Sequence, residues 1–287
     1  MTPDSMMLTD ALALARARLV AAGIQPDEAA VDVDVYARTI LGWDRATLLQ
    51  NLRQPTPAGL EPQFSQWIAR RERREPTAYI VGSREFWGRP FLVTSAVLVP
   101  RPETEFIVEE ALGLLRAFAT PRIADIGTGS GILAVTLAAE VPAAAVTGTD
   151  LSSDAIDVAR RNAARHGVAT RVTFLNTSYL DDVPGTFDLI VANPPYVRDG
   201  DKSALARDVR HEPDVALFGG PDGLRDVAGV LDAAVEKLTS GGWFVMEFGY
   251  GQEDDVRRLV DARRALRFDH IRNDLQGIAR TAIIQKP

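Results

Sequence analysis

The chain has 287 residues, 46% hydrophobic and 25% charged, which is enough material for two globular domains with full cores. A net charge of −7 with no long basic block argues against a protein that coats a phosphate backbone. The absence of cysteine excludes disulfides, thiolate nucleophiles and cysteine-zinc sites.

Only three histidines occur, His166, His211 and His270, and none is spaced with another as a metal pair would be, so no metal site is expected. His166 precedes Gly167 at an expected helix end, where it suits the C-terminal carbonyls. The start, MTPDSMMLTDALALARARL, lacks the basic region and unbroken apolar run of a signal peptide. No stretch of about 18 apolar residues is present to span a membrane. A cytoplasmic protein without a membrane partner is expected.

Residues 1–75 read as an all-helical domain. Thr9-Asp10 opens ALALARARLVAAG, which stops at Gly23, and Pro26-Asp27-Glu28 begins a second helix with acids in its first turn. RATLLQNL and PQFSQWIARRERR supply two more. The cluster Arg70, Arg71, Arg73 and Arg74 lies at a helix end, interspersed with Glu72 and Glu75, and reads as a solvated cationic face.

Between 76 and 102 the texture changes. EPTAYIVGSREFWGRPFLVTSAVLVPRP mixes β-branched and aromatic residues with Gly and Pro, which predicts a linker with a β-hairpin. Residues 103–287 then alternate helix and strand. After a helix over 105–118 the predicted strands are RIADIG, AAVTGTD, RVTFLN, FDLIVAN, WFVMEFG and RTAIIQ. The predicted helices among them are ILAVTLAAE, SSDAIDVARRNAARHG, DGLRDVAGVLDAAVEKL and EDDVRRLVDARRA. Such alternation indicates an α/β sheet, mostly parallel, with helices on both faces and ligands at the carboxyl ends of the strands.

One such end carries Gly127, Gly129 and Gly131 in DIGTGSG, directly between a strand and a helix. Glycines there let backbone approach a ligand closely. The spacing differs from the G-x-G-x-x-G of dinucleotide binders and from a phosphate-binding P-loop. Asp150 ends the next strand, where a carboxylate can accept hydrogen bonds from both hydroxyls of a ribose, whether of a nicotinamide cofactor or of S-adenosylmethionine. Capping of the following helix is its simpler role, although Ser152 could fill that. Asp125, ahead of the loop, can meet a ligand's ammonium or hold the loop's own N–H groups.

The second chemical feature is FDLIVANPPYVRD. Two prolines end the strand ladder, because proline has no N–H and a fixed φ. Asn193 Oδ1 and the Pro194 carbonyl are then free to accept both N–H bonds of one planar –NH2, with Tyr196 packed on the flat group. Such a corner holds an amine or amide nitrogen in line with a sulfonium methyl and needs no strong base. A carboxylate would meet two acceptors with no proton between them. A nicotinamide oxidoreductase would leave this corner unused.

Together these residues resemble class I S-adenosylmethionine-dependent methyltransferases, and more narrowly the protein-(glutamine-N5) methyltransferases that modify peptide-chain release factors. The resemblance spans nearly the whole chain, through EPTAYIVGSREFWGRPF, LVPRPETE, DIGTGSG, NPPY, DVRHEPDVALFGGPDGL and DLQGIARTAIIQ. It implies a Rossmann-like, seven-stranded methyltransferase domain joined by a hairpin to a small helical domain that helps grip the substrate. It implies S-adenosylmethionine as cofactor and S-adenosylhomocysteine as product. The acceptor is the glutamine of the Gly-Gly-Gln motif in class 1 release factors, and a monomer without stable nucleic-acid partners is expected.

The implied cofactor residues are Asp125, Gly127, Thr128, Gly129, Ser130, Gly131, Asp150 and Leu151, with Ser178, Tyr179 and Asn193. Asn193, Pro194, Pro195 and Tyr196 would hold the glutamine, and Asn193, Pro194 and Tyr196 would serve the reaction. After the third strand the chain reads Asn176-Thr177-Ser178-Tyr179, where related enzymes often place an acid and a tryptophan near the adenine. Here Tyr179 would stack on the ring and Ser178 accept from its amine. The nearest rivals are transfer to an exocyclic amine of DNA or RNA, against which the acidic charge argues, and transfer to a glutamine of a ribosomal protein.

Overall fold

Apolar residues recur at helical spacing through the first 82 positions. In the computed structural model, which describes residues 6–287, they build five helices: α1 (Leu8–Ala21), α2 (Pro26–Leu41), α3 (Arg45–Asn51), α4 (Gln63–Glu72) and α5 (Thr77–Val81). Helix α2 starts on Pro26 with Asp27 and Glu28 in its first turn and stops at Gly42, whose φ of 66° is the left-handed value that ends helices. Asp44 caps α3 by accepting from the Thr47 N–H at 2.7 Å. The shared core includes Leu12, Leu19, Val33, Leu48 and Ile68, with Tyr36 edge-on to Trp67 at 5.6 Å between ring centroids.

This first compact unit runs to Gly82 and also takes in residues 207–211. The helical segment thus extends past 75, because α5 turns Ile80 into the same core. A second difference concerns the arginine cluster. Arg71 is not on a solvated face; it is 1% exposed. Its guanidinium pairs with Asp32 at 2.7 Å, with Asp208 at 2.7 Å and with Glu28. Arg70 keeps a half-exposed pair with Glu75.

The second unit, residues 83–206 and 212–287, opens with the hairpin β1 (Ser83–Phe86) and β2 (Arg89–Leu92). Trp87 and Gly88 turn it with φ values of 53° and 66°, as a tight two-residue connection requires. Seven strands follow: β3 (Arg122–Ile126), β4 (Ala145–Asp150), β5 (Val172–Asn176), β6 (Phe187–Ala192), β7 (Leu238–Glu247), β8 (Arg267–Asn273) and β9 (Ala279–Gln285). Their order in the sheet is β5-β4-β3-β6-β7-β9-β8. The first five are parallel, and β9 runs antiparallel to both β7 and β8.

Helices α6 (Glu105–Leu115), α7 (Ile132–Glu140) and α8 (Ser153–Arg165) cover one face of this sheet. Helices α9 (Arg225–Lys237) and α10 (Glu253–Asp261) cover the other. Strand residues alternate between the two cores as the pleat demands: Ile123 faces one, Ala124 and Ile126 the other. From β3 the chain winds outward through β4 and β5, then crosses back to β6 on the other side. Strand order reverses at this point, and the loops leaving β3 and β6 diverge there to open a crevice. The glycine loop and the Asn-Pro-Pro-Tyr corner are those two loops. No helix among the described residues is long and apolar enough to cross a membrane.

Candidate active site

Strand β3 delivers Asp125 into the interior at 1% exposure. Its Oδ2 accepts from the Thr128 hydroxyl at 2.6 Å and from the Ala134 N–H at 3.0 Å, so the carboxylate holds the glycine loop against the start of α7. Its Oδ1 is buried without a partner. Burial in this setting pushes the Asp125 carboxyl up to about 7, and the charge of Asp150 adds to the shift. Gly127, Gly129 and Gly131 all have positive φ, and the loop N–H of Gly129 is donated to Asp150 Oδ2 at 2.9 Å.

Asp150 Oδ1 accepts from the Ser152 N–H at 2.9 Å, while the cap of α8 is Ser152 itself, whose hydroxyl accepts from Ala155 N at 3.1 Å. Asp150 is therefore released from the capping role. Burial raises its pKa too.

A single cavity gathers Asp125, Gly127, Thr128, Gly129 and Ser130 with Asp150 and Leu151 from the end of β4. Tyr179, Asn193, Pro194 and Pro195 complete its wall. Three expected residues do not reach that wall: Gly131, Ser178 and Tyr196. Gly131 is taken up by packing, since a Cβ there would lie 3.1 Å from the Ala159 Cβ. Thr177, not Ser178, lines the cavity; β5 ends at Asn176, so strand alternation does not carry on to these residues. Among the lining residues that sequence reasoning does not assign are Arg101, Thr104, Arg225 and Asp226. The PRPETE segment was the available signal for the first two.

Tyr179 is fixed from α9. Its hydroxyl donates to Asp226 Oδ1 at 2.9 Å, and burial together with that carboxylate pushes its pKa up to about 12. The ring lies so close to Gly229 that a Cβ there would sit 2.3 Å from its Cζ. Gly229→Ala is expected to displace this ring at a stability cost of about 1–3 kcal/mol, read by thermal unfolding.

At the end of β6, Asn193 Nδ2 donates to Thr104 Oγ1 at 3.1 Å. Among the described residues, neither Asn193 Oδ1 nor the Pro194 carbonyl accepts any hydrogen bond. Tyr196 turns away from the cavity: its hydroxyl donates to Glu247 Oε1 at 3.0 Å, and that charge, with burial, raises its pKa. Its backbone is clamped from behind. Gln252 Nε2 donates to the Tyr196 carbonyl at 3.1 Å, and Gly223 leaves no room for a Cβ, which would lie 2.3 Å from that oxygen. The corner is held in place from behind, and Asn193 and Pro194, with these two acceptors unpaired, line the cavity.

Residues 10–82 match the PrmC N-terminal domain family model, and residues 108–215 match the Methyltransferase small domain model. The release factor glutamine methyltransferase of Cereibacter sphaeroides is 42% identical over 283 residues, 98% of this chain and 99% of that protein. The chain belongs to the release factor glutamine methyltransferase family. The family member from Bradyrhizobium diazoefficiens is 40% identical over 91% of this chain and 90% of its own length. More distant structures share the fold alone. The hMettl16 catalytic domain, solved with a MAT2A 3'UTR hairpin, has a TM-score of 0.57 at 11% identity, covering 79% of this chain and 94% of that one. A methyltransferase from Pyrococcus furiosus has a TM-score of 0.51 at 21% identity, covering 69% and 89%. This family member is thus a methyltransferase with a mixed seven-stranded sheet and a separate helical unit.

Proposed function

We propose that the enzyme methylates the side-chain nitrogen of the glutamine in the Gly-Gly-Gln motif of class 1 peptide chain release factors, using S-adenosylmethionine. The observation that carries this reading is the pair of unpartnered acceptors, Asn193 Oδ1 and the Pro194 carbonyl, on the wall of the cavity. Two acceptors in a rigid corner take both N–H bonds of a carboxamide and orient its nitrogen. They also stabilise positive charge as it grows on that nitrogen, which makes a strong base unnecessary. With the cofactor bound, its methyl would pass from sulfur to this nitrogen, and the amide proton would leave afterwards to water.

The cavity suits the cofactor. S-adenosylmethionine would supply an electrophilic sulfonium methyl, along with an ammonium, a ribose and an adenine that need separate partners. Asp125 offers a buried oxygen with no bond of its own, an unfavourable arrangement until a cation arrives. Asp150 stands at the strand end where ribose hydroxyls are bound, and Leu151 and Tyr179 provide apolar surface for a ring. The helical unit, residues 1–82 with 207–211, would contact the release factor.

The pKa of Asp125 gives this assignment a test. The folded protein without cofactor holds a proton that the unfolded chain has released between about pH 4 and 7, so its stability falls as pH rises through that window. Binding a cation requires the ionised form. Affinity for S-adenosylmethionine is therefore expected to rise from about pH 5.5 to about 7, and Asp125→Asn to flatten the rise. Titration calorimetry at several pH values measures both. For the reaction itself, the purified enzyme is incubated with S-adenosylmethionine and a class 1 release factor, and the Gly-Gly-Gln peptide is weighed by mass spectrometry. A gain of one methyl group on the glutamine supports the assignment. Transfer to RNA or DNA in its place would refute it.

A further inference from the structure

Asn193 can serve as acceptor only if its amide is the right way round, with Oδ1 toward the substrate and Nδ2 away. An amide can flip, and the two orientations differ little in shape. Something must discriminate between them. The partner of Nδ2 is the Thr104 hydroxyl at 3.1 Å, and that hydroxyl in turn donates to Glu247 Oε2 at 2.7 Å. Thr104 is 0% exposed and Glu247 2% exposed, so no water substitutes for these partners.

A hydroxyl has one proton. While Glu247 is ionised it can only accept, so the Thr104 proton is committed to it and Thr104 Oγ1 faces Asn193 as an acceptor alone. In the flipped orientation Asn193 Oδ1 would meet that oxygen lone pair to lone pair, with Nδ2 pointing toward the substrate's own N–H groups. Both contacts would be repulsive. The Tyr196 hydroxyl donates to the other oxygen, Glu247 Oε1, at 3.0 Å, so the same carboxylate also ties down the far end of the corner.

We propose that Glu247, acting through Thr104, is a positioning residue that locks the Asn193 amide with its oxygen toward the substrate nitrogen. The inference rests on the amide-methylating function proposed above and adds two residues that act through the Asn193 amide. It also gives Thr104 of PRPETE a function beyond lining the cavity.

The charge state of Glu247 governs the lock. The groups that face it are Tyr196 on the loop after β6, Glu103 beside Thr104, and Arg280 on β9, with Thr281 as its cross-strand partner. Burial and the nearby Glu103 raise its pKa; Thr104, Tyr196 and Arg280 oppose the rise. When Glu247 takes a proton it becomes a donor to Thr104, the Thr104 proton is freed toward Asn193, and the flipped amide becomes acceptable. The wild-type kcat is therefore expected to fall as pH drops through the Glu247 titration.

The test compares Glu247→Gln, Thr104→Val and Thr104→Ser, each close in size to the native residue, with wild type in methylation of a class 1 release factor. Glutamine at 247 can donate to Thr104 as protonated Glu247 would, and valine at 104 removes the relay. Both are expected to lower kcat about ten- to a hundred-fold and to leave KM for the release factor and the calorimetric Kd for S-adenosylmethionine within about two-fold. Thr104→Ser, which keeps the hydroxyl, is expected to retain most of the activity, and Glu247→Gln to lose the acid limb of the pH profile. If wild type methylates the release factor and the Gln and Val variants keep its kcat, the relay is overturned while the function stands. A drop in kcat accompanied by an equal loss of cofactor affinity would also overturn it, since that pattern marks general damage to the pocket. If wild type leaves the release factor unmodified, the function itself fails, and the relay with it.

Discussion

Asn193→Ala is expected to lower kcat for release-factor methylation about 10²–10³-fold, the scale on which one charge-stabilising partner is lost from a preorganised site. The amide nitrogen is a weak nucleophile. Two acceptors in one rigid corner compensate by stripping the nitrogen of rotational freedom and by taking up charge as it forms. Alanine removes Asn193 Oδ1 and leaves the Pro194 carbonyl as a single acceptor, around which the amide can rotate.

The same substitution removes the donor to Thr104 Oγ1, but Thr104 keeps its bond to Glu247, so no buried polar group is stranded. The fold is expected to persist. Asp125 and Asp150 are untouched, and S-adenosylmethionine affinity is expected to change by less than about five-fold. Single-turnover kinetics separate these terms: the chemical step slows while the cofactor titration barely moves. Equal losses in both would show that Asn193 serves the cofactor and not the substrate.

The features legible in the sequence are those whose cause is local. DIGTGSG and NPPY are read correctly as strand-ending loops because glycine's φ range and proline's missing N–H act on the residues that carry them. The five parallel strands and their helices follow from apolar runs of the right lengths. Strand β8 falls outside the strands that the sequence predicts. Its FDHIRN segment lies at the sheet edge with no residue fully buried, and it has neither an apolar run nor a clean alternation. Helix α5 is five residues long and flanked by Pro and Gly, which made TAYIV look like part of the hairpin region.

At the site, side-chain direction was the missing information. Tyr196 is expected to pack its ring on the substrate amide as the aromatic residue of the Asn193–Tyr196 corner, yet its hydroxyl reaches Glu247, 51 positions away. Thr177 takes the place expected of Ser178 because the strand has already ended at Asn176, where side-chain alternation stops being a guide. The pairing of Thr104 with Glu247 spans 143 positions and has no periodic signature at all. Non-local polar contacts of this kind become visible only when the sheet brings their strands together.

Arg71 shows the same limit with the largest consequence for stability. Four arginines near a helix end look alike in sequence, but only one of them is buried among carboxylates. Arg71→Met keeps the bulk and apolar stem while removing the cation; Asp208 retains Arg74 at 3.7 Å, but Asp32, itself 5% exposed, loses its ion-pair partner. Breaking one partner of a buried ion pair costs about 3–5 kcal/mol, because the remaining charge stays desolvated. Thr77 still donates to Asp32 at 2.6 Å, which softens the loss but supplies no positive charge. Arg70→Ala, which breaks the half-exposed pair with Glu75, is expected to cost under about 1 kcal/mol. Urea unfolding followed by the fluorescence of Trp67, which packs on Tyr36 in the same core, distinguishes the two. Asp208 also ties residues 207–211 to this unit, so Arg71→Met is expected to speed tryptic cleavage after Arg207 and Arg210. A double variant, Arg71→Met with Asp32→Asn, removes the stranded charge and is expected to recover part of the stability. If Arg71→Met unfolds at the same urea concentration as wild type, the carboxylates are solvated after all, and the buried cluster contributes nothing to the helical unit.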